Sequence, residues 1–527
     1  MWRTVRALKS QNVSTMRCVA LLCLMVICST EAARILAVLP CPSRSHHIWN
    51  RVLLEALAAR GHDVTSLTPF QEADRPNLRY IYLKDQQNAI TRMKSTLLER
   101  AEFSARQNAD AFFQCCFDFC RNVLKSAGTK EVLAMKGQFD LLIMESFGFE
   151  CMFGFVSHFN LPTVAVSAHG HTPWNCKQMN VPEETAVLPL EPFPYSTPMT
   201  LLQRLQNLLL TLYMKIRRHV EYLPKHEAIA REVFGPEMPA FNELEQNFDV
   251  FLVNSVPVLD PPRPLPPAVI EVGYLHCKPG NPLPADIQTF LDGGTEGAVY
   301  FSLGSNVRSD TLPAATLKAL VTVFAELPQR VLWKWESDEE MPRKPSNVKL
   351  VKWIAQQDVL AHRNVHLFMT HGGRLSTLEG LYHSVPMLVM PVFYDQYLHG
   401  HRVEELGMGM RLNINNVTEP SLRYALTMLL GAPRYRERAR AMSSLSRDQP
   451  ESPLERAVYW TEYVLRHGGA SHLRPGSHYL AWYQLYMLDV AAILVLVPLA
   501  LVSVLLLVVR RLSRARAASV SRQKKRL

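Results

Sequence analysis

The sequence predicts an α/β protein of two Rossmann-like domains facing across a cleft, followed by one C-terminal transmembrane helix. Three observations lead there. Short apolar strands alternate with helical segments in two blocks, the pattern of parallel sheets covered on both faces. A proline-dense stretch, Pro257 to Pro267, has six prolines in eleven residues and divides the blocks. An uncharged apolar run of about twenty residues, Val490 to Val509, matches the hydrocarbon thickness of a bilayer at ~1.5 Å rise per residue.

The first block opens with a strand at Arg34 to Leu39 and a loop from Pro40 to His47. A helix around Trp49 to Ala59 follows, capped by Gly61, and then a second strand at Val64 to Leu67. This βαβ pattern returns at Phe139 to Met144, which leads into Glu145, and at Pro162 to Ser167. Leu78 to Lys130 and Met199 to Val233 read mainly as helix. The proline-dense stretch can be neither helix nor central strand, so it is expected to be a stiff linker between domains. Beyond it, strands are expected at Ala298 to Leu303, Arg330 to Trp335, Lys349 to Val351, His366 to Thr370 and Met387 to Met390. The expected divisions are 1–33, 34–256, 257–267, 268–445, a helical segment 446–489 packing back, 490–509 and 510–527. Ligands of such sheets bind beyond the carboxyl ends of strands. The loops after Leu39, Met144, Leu303, Lys352, Thr370 and Met390 are therefore the ones to inspect.

Both ends carry addresses. Arg3, Arg6, Lys9 and Arg17 precede the apolar run Cys18 to Ile27 and the small residues Cys28, Ser29, Thr30, Ala32 and Ala33, the layout of a secretory signal peptide. Trp482, Tyr483 and Tyr486 precede the apolar run, as an aromatic belt would, and Arg510 and Arg511 follow it. Positive-inside bias then predicts a single-pass type I protein with its body lumenal and its tail cytosolic. The ending Lys524-Lys525-Arg526-Leu527 resembles a dilysine retrieval signal of the endoplasmic reticulum membrane. The formal charge of +10 does not indicate nucleic acid, because eight basic residues lie between Arg510 and Leu527 and the body is nearly neutral. Seven cysteines lie beyond the signal segment, an odd number with no zinc spacing, and no pairing follows from the sequence. Asn416-Val417-Thr418 is the one sequon in the exported body, making Asn416 the expected glycosylation site.

The strand-end loops hold the chemistry. Phe368-Met369-Thr370-His371-Gly372-Gly373 ends a strand with a glycine pair and enters a helix, followed by Glu379, Pro386, Pro391 and Asp395-Gln396. Glycines there let backbone N–H groups approach a phosphate, and a helix N-terminus favours negative charge. The string from Phe368 to Gln396 resembles the signature segment of the UDP-glycosyltransferases, specifically the UDP-glucuronosyltransferase type found in animals and insects. Trp353-Ile354-Ala355-Gln356-Gln357-Asp358 is similar to that family's Trp-x-Pro-Gln-x-Asp segment, with Ala355 replacing the usual proline. Phe301-Ser302-Leu303-Gly304-Ser305 is similar to its diphosphate-facing loop. Val272 to His276 and Asp448-Gln449-Pro450 also fit, as do the anchor and the tail.

The resemblance implies a GT-B fold and transfer, with inversion, of glucose or glucuronic acid from a UDP-sugar to small lipophilic acceptors. Trp353 would stack on uracil, Gln356 support the nucleoside and Glu379 hold the ribose. Ser305, His371 and Gly373 would hold the diphosphate. The family often has asparagine where Leu375 stands, and Ser376 would supply that polar group instead. Asp395 and Gln396 would bind sugar hydroxyls. Ser45-His46 resembles the catalytic Ser-His of the family, with His46 as general base and Glu145 in place of the usual aspartate to steady the imidazolium. His47 is a rival base, and His158, His169 and His171 read as structural. The UDP-sugar is a co-substrate; no cofactor and no metal are expected, since no Asp-x-Asp pair ends a strand. Val253 stands where vertebrate glucuronosyltransferases commonly have arginine, which tilts the donor toward UDP-glucose. Two alternatives stay open: a non-catalytic UDP-sugar binder, and a glycan or lipid glycosyltransferase. So does homo-oligomerisation.

Overall fold

The computed structural model describes residues 32–339, 341 and 343–524. The expected signal segment, up to Glu31, and the C-terminal residues from Lys525 lie outside the described residues.

The first sheet has seven parallel strands: β1 Arg34–Val38, β2 Asp63–Thr68, β3 Leu78–Tyr82, β4 Leu141–Glu145, β5 Thr163–Ser167, β6 Val250–Val253 and β7 Val269–Glu271. Their order is β3-β2-β1-β4-β5-β6-β7. The second has six: β8 Ala298–Ser302, β9 Arg330–Lys334, β10 Val348–Val351, β11 Val365–Thr370, β12 Met387–Val389 and β13 Gly409–Arg411. Their order is β10-β9-β8-β11-β12-β13. Every pairing is parallel, and the central strands, covered on both faces, read as continuous apolar runs. Along β1, Leu36 and Val38 enter one core while Ile35 and Ala37 enter the other, all with no exposed surface. Each such aliphatic side chain contributes roughly 1.5–3 kcal/mol.

In both sheets the chain winds outward in one direction, then returns to wind in the other. The reversals fall between β1 and β4 and between β8 and β11. Loops leaving adjacent strands part there and open a crevice. The ends of β1, β4, β8 and β11 and the segments that follow them carry His46, Glu145, Ser305, His371 and Gly373.

Three readings are corrected. Leu78–Tyr82 is an edge strand beside β2 rather than helix; its Tyr-Ile-Tyr content favours a pleated surface, and Asn77 at φ 59° turns the chain into it. Pro257 to Pro267 is not an interdomain linker: it joins β6 to β7, neighbours in one sheet. The first domain therefore extends through Glu271, and the crossing follows β7. At that crossing only glycine fits position 273, where a Cβ would lie 2.3 Å from the Ser255 carbonyl oxygen. The short strands β6, β7 and β13 complete sheets that the sequence pattern left narrower.

After the second sheet the chain returns to the first. The helix Pro453–His467 packs on the helix Arg44–Ala59, with Ala457, Val458 and Val464 joining the core that contains Trp49 and Leu53. Arg60 and His62 both meet Glu462 there. Cys120 and Cys151 form a disulfide.

Residues from Arg474 on form a separate unit. Its helix, Leu488–Lys524, has a mean hydropathy of 3.2 over its most apolar stretch and runs on through the basic tail. It is long and apolar enough to cross a membrane.

Candidate active site

His46 lies in the first turn of the helix Arg44–Ala59, after the N-cap Ser43, rather than in the preceding loop. Glu145 is the last residue of β4. The β1/β4 reversal turns them toward each other: His46 Nδ1 and Glu145 Oε1 are 2.6 Å apart, both side chains buried. With Nδ1–H donating to the carboxylate, Nε2 is left with its lone pair for a substrate proton. The extra methylene of Glu145 is thus accommodated. The Phe147 ring packs 4.6 Å from the imidazole. His47 is no rival. Its Nε2 meets Glu72 at 3.0 Å and its Nδ1 meets Thr68 at 3.2 Å, so both nitrogens are committed. Burial pushes it down to about 4, with Glu72 opposing.

His46 opens onto a cavity between the domains. The first domain supplies Cys41, Ser43, Phe112, Phe147 and His169 to its wall. The second supplies Ser305, His371, Gly373, Ser376, Asp395 and Gln396. Asn306 Nδ2 donates to Ser43 Oγ at 3.0 Å across the gap.

Opposite the dyad, the β8 and β11 loops form a cradle. A Cβ at Gly304, which has φ +78°, would lie 2.4 Å from His371 Cε1; one at Gly373 would lie 2.5 Å from His371 Nε2. The imidazole is sandwiched where only glycines fit. Gly373 caps the helix Arg374–Tyr382, whose first N–H groups point outward. Burial pushes His371 down to about 4, so it is neutral and can donate through one ring nitrogen. Lys334, at the end of β9, donates to the Gly304 carbonyl at 2.9 Å and pairs with Glu336 at 2.5 Å. The sequence reading missed this cation, although its place at a strand's carboxyl end was the available signal.

Gln356, Ser376 and Glu379 come together next to the cradle. Gln356 Nε2 donates to Ser376 Oγ at 3.0 Å and to Glu379 Oε2 at 2.5 Å. Burial pushes Glu379 up to about 7, with Gln356 opposing. Trp353 is 58% exposed and lines a neighbouring groove with Leu283, Ile287 and Ile354. Trp353, Gln356 and Glu379 therefore stand outside the central cavity wall, and only Ser376 of this group faces it.

At the far side Gln396 Oε1 accepts from the Val392 and Phe393 N–H groups at 2.8 and 3.2 Å, and its amide NH₂ meets no partner among the described residues. Tyr394, a buried non-glycine at φ 48°, sets up the turn before Asp395. Asp395 Oδ2 lies 3.3 Å from His399 Nδ1 and 3.7 Å from His169 Nε2. Burial works to raise Asp395, but His169 and His399 hold it well below the usual carboxylate range. His169, read as structural from sequence, lines the cavity and bridges the domains, its Nδ1 3.1 Å from Glu191. Burial alone would lower it; Glu191 and Asp395 push it up to about 10. By contrast His158 bonds the Leu133 carbonyl and His171 contacts Glu271, away from the cavity.

The two facing parallel sheets with a buried dyad on one and a glycine-bounded cradle on the other define a GT-B glycosyltransferase fold. Solved structures agree. Spinosyn forosaminyltransferase SpnP is similar with a TM-score of 0.58 at 18% identity, covering 83% of this chain and 100% of that one. The glycosyltransferase of kitacinnamycin gives 0.56 at 19% identity, with the same coverage.

The family described as UDP-glucoronosyl and UDP-glucosyl transferase matches residues 35–526, and the chain belongs to it. It is 36% identical to UDP-glucosyltransferase 2 of Dactylopius coccus, over 89% of this chain and 91% of that one. It is 32% identical to the 2-hydroxyacylsphingosine 1-beta-galactosyltransferase of Rattus norvegicus, over 89% and 87%. It is 30% identical to human UDP-glucuronosyltransferase 1A8, over 90% and 91%. The chain is a hexosyltransferase that uses a UDP-sugar donor.

Proposed function

We propose that this enzyme transfers glucose from UDP-glucose to a hydroxyl of a small lipophilic acceptor, with inversion, at the endoplasmic reticulum membrane. One observation carries the mechanism: the His46–Glu145 pair faces, across the cleft, the cradle built by Gly304, His371 and Gly373. His46 Nε2 takes the acceptor proton as the acceptor oxygen bonds to the anomeric carbon. The anomeric bond to the β-phosphate oxygen breaks on the opposite face. Glu145 offsets the imidazolium charge, and the helix N-terminus at Gly373 with His371 receives the charge gathering on UDP. Ser305 joins that cradle, while Trp353 from the adjoining groove and the Gln356–Glu379 pair beside the cradle hold the nucleoside. Asp395 and the amide NH₂ of Gln396 take sugar hydroxyls. These groups meet the donor's charge with dipoles and N–H donors, so the transfer we propose uses no metal.

A neutral sugar is favoured by the residue that ends β6. Val253 supplies no cation for a glucuronate carboxylate. The aromatic wall of Phe112 and Phe147 suits an apolar acceptor.

The setting rests on several supports. The helix Leu488–Lys524 is taken as the anchor, and the Cys120–Cys151 disulfide suits an oxidising lumen. Asn416 is exposed, beside the N-cap Thr418, and suits glycosylation. The dilysine address includes Lys525, outside the described residues. Full-length enzyme in detergent, given UDP-glucose or UDP-glucuronate with a simple phenol, tests the proposal. Glucoside formation that fails in His46→Ala is expected; a preference for UDP-glucuronate would overturn the donor assignment.

A further inference from the structure

Cys41 belongs to the loop after β1 and lines the cavity beside His46. The transfer mechanism does not use it. Its Sγ, a ring nitrogen of His46 and a carboxylate oxygen of Glu145 lie within 4.8 Å of one another, all three residues buried. Glu145 also carries a second oxygen, Oε2, that is buried with no hydrogen-bond partner among the described residues. A buried carboxylate oxygen without a donor is costly. Here it sits beside a thiol and an imidazole, with the cavity as an entry path.

We propose that Cys41, His46 and Glu145 form an inhibitory site for a thiophilic divalent cation, Zn²⁺ above all. Sulfur, nitrogen and oxygen from three residues make a donor set typical of zinc with one position left open, here toward the cavity. Zinc bonds of ~2.0–2.3 Å hold the ligand atoms of one ion roughly 3–4 Å apart, so the three donors need only side-chain rotation: the 2.6 Å contact between His46 Nδ1 and Glu145 Oε1 opens, or Glu145 presents Oε2. On binding, the thiol proton leaves to solvent and a Zn–S bond forms. One thiolate and one carboxylate then balance the two charges of the ion, so the buried complex is neutral, the condition under which such a site is stable.

The consequence for activity follows from His46. Whichever ring nitrogen binds the metal, either the lone pair that takes the acceptor proton or the contact that orients the ring is consumed. Zinc at this site stops transfer while leaving the cradle at Gly304, His371 and Gly373 free to hold UDP. Mg²⁺ and Ca²⁺, which take oxygen ligands, have no such effect.

The test uses full-length enzyme in detergent. UDP-sugar turnover is measured against rising Zn²⁺, Mg²⁺ and a chelator, each variant relative to its own metal-free rate. Zinc is expected to inhibit, the chelator to reverse it, and Mg²⁺ to have no effect. Cys41→Ala should raise the half-inhibiting zinc concentration about tenfold or more. Co²⁺ added to the same protein should give a thiolate-to-cobalt absorption band in wild type that is missing in Cys41→Ala, a readout independent of turnover. Equal zinc sensitivity in wild type and Cys41→Ala would overturn the proposal, as would a cobalt spectrum without the thiolate band. If no UDP-sugar is turned over at all, the proposed transferase function fails, while the cobalt spectrum still decides the metal site.

Discussion

Arg374, the first residue of a helix in the second domain, grips Asp260 of the first with both terminal guanidinium nitrogens, one at 2.6 Å. Its Nε and Nη2 also donate to the Asn254 carbonyl at 3.1 and 2.5 Å. Burial works to raise Asp260, but Arg374 holds it well below the usual carboxylate range. Because the folded-state value is depressed, the pair's stabilisation is complete above the ordinary carboxylate range and fades as pH falls from that range to the depressed folded value. Arg374→Met should lower stability by about 3–5 kcal/mol, since it leaves a carboxylate unpaired between the domains. Adding Asp260→Leu should recover much of that loss. Denaturant unfolding of the two variants checks this; equal losses in both would remove the pair as an interdomain clamp.

Gly304→Ala should impair donor binding as well as stability. The new methyl meets His371 at 2.4 Å, and alanine at φ +78° adds strain of about 1–2 kcal/mol. Calorimetry should show UDP affinity reduced about tenfold or more, with the unfolding midpoint lowered by a few degrees, about what that strain implies. Unchanged affinity would take the cradle out of phosphate binding.

Donor affinity should rise with pH through the range where Glu379 titrates, about 7. A carboxylate accepts from a ribose diol and a protonated acid does so less well, so donor binding lowers its value and is linked to proton release. UDP-glucose is the right ligand, because its phosphates do not titrate in that range. Binding should tighten from about pH 6 to 8 in wild type and be flat in Glu379→Gln. A slope that survives in Glu379→Gln would assign the proton elsewhere.

His169→Gln should separate sugar from nucleotide. Without the imidazole beside Asp395, UDP-glucose should bind more weakly by about 1.5–3 kcal/mol while UDP alone binds as before. Equal weakening of both ligands would mean that His169 only supports the fold.

The legibility of this chain follows burial. Strands β1, β4, β8 and β11 sit at the centres of their sheets and are apolar on both faces, so they and their loops are plain in the sequence. Edge strand β3 alternates with exposed Arg79, and β7 and β13 have three residues each, too few for a period to show. Prolines exclude a strand between Pro257 and Pro267, but they do not tell which sheet takes the flanking residues. His169 illustrates the same limit in the site. Its partners Glu191 and Asp395 are remote in sequence, and nothing local marks them as neighbours. His46 and Glu145 could be paired only through resemblance, and their contact across 99 positions is a product of the β1/β4 reversal.

The most direct test of the account is product analysis by NMR with purified full-length enzyme, UDP-glucose and a phenol, comparing wild type with His46→Ala. Attack opposite the departing UDP, with His46 as base, predicts a β-glucoside from the α-linked donor. His46→Ala should form it about 10²–10⁴-fold more slowly at unchanged UDP affinity. An α-glucoside, or a wild-type rate in His46→Ala, would contradict single displacement driven by the His46–Glu145 pair.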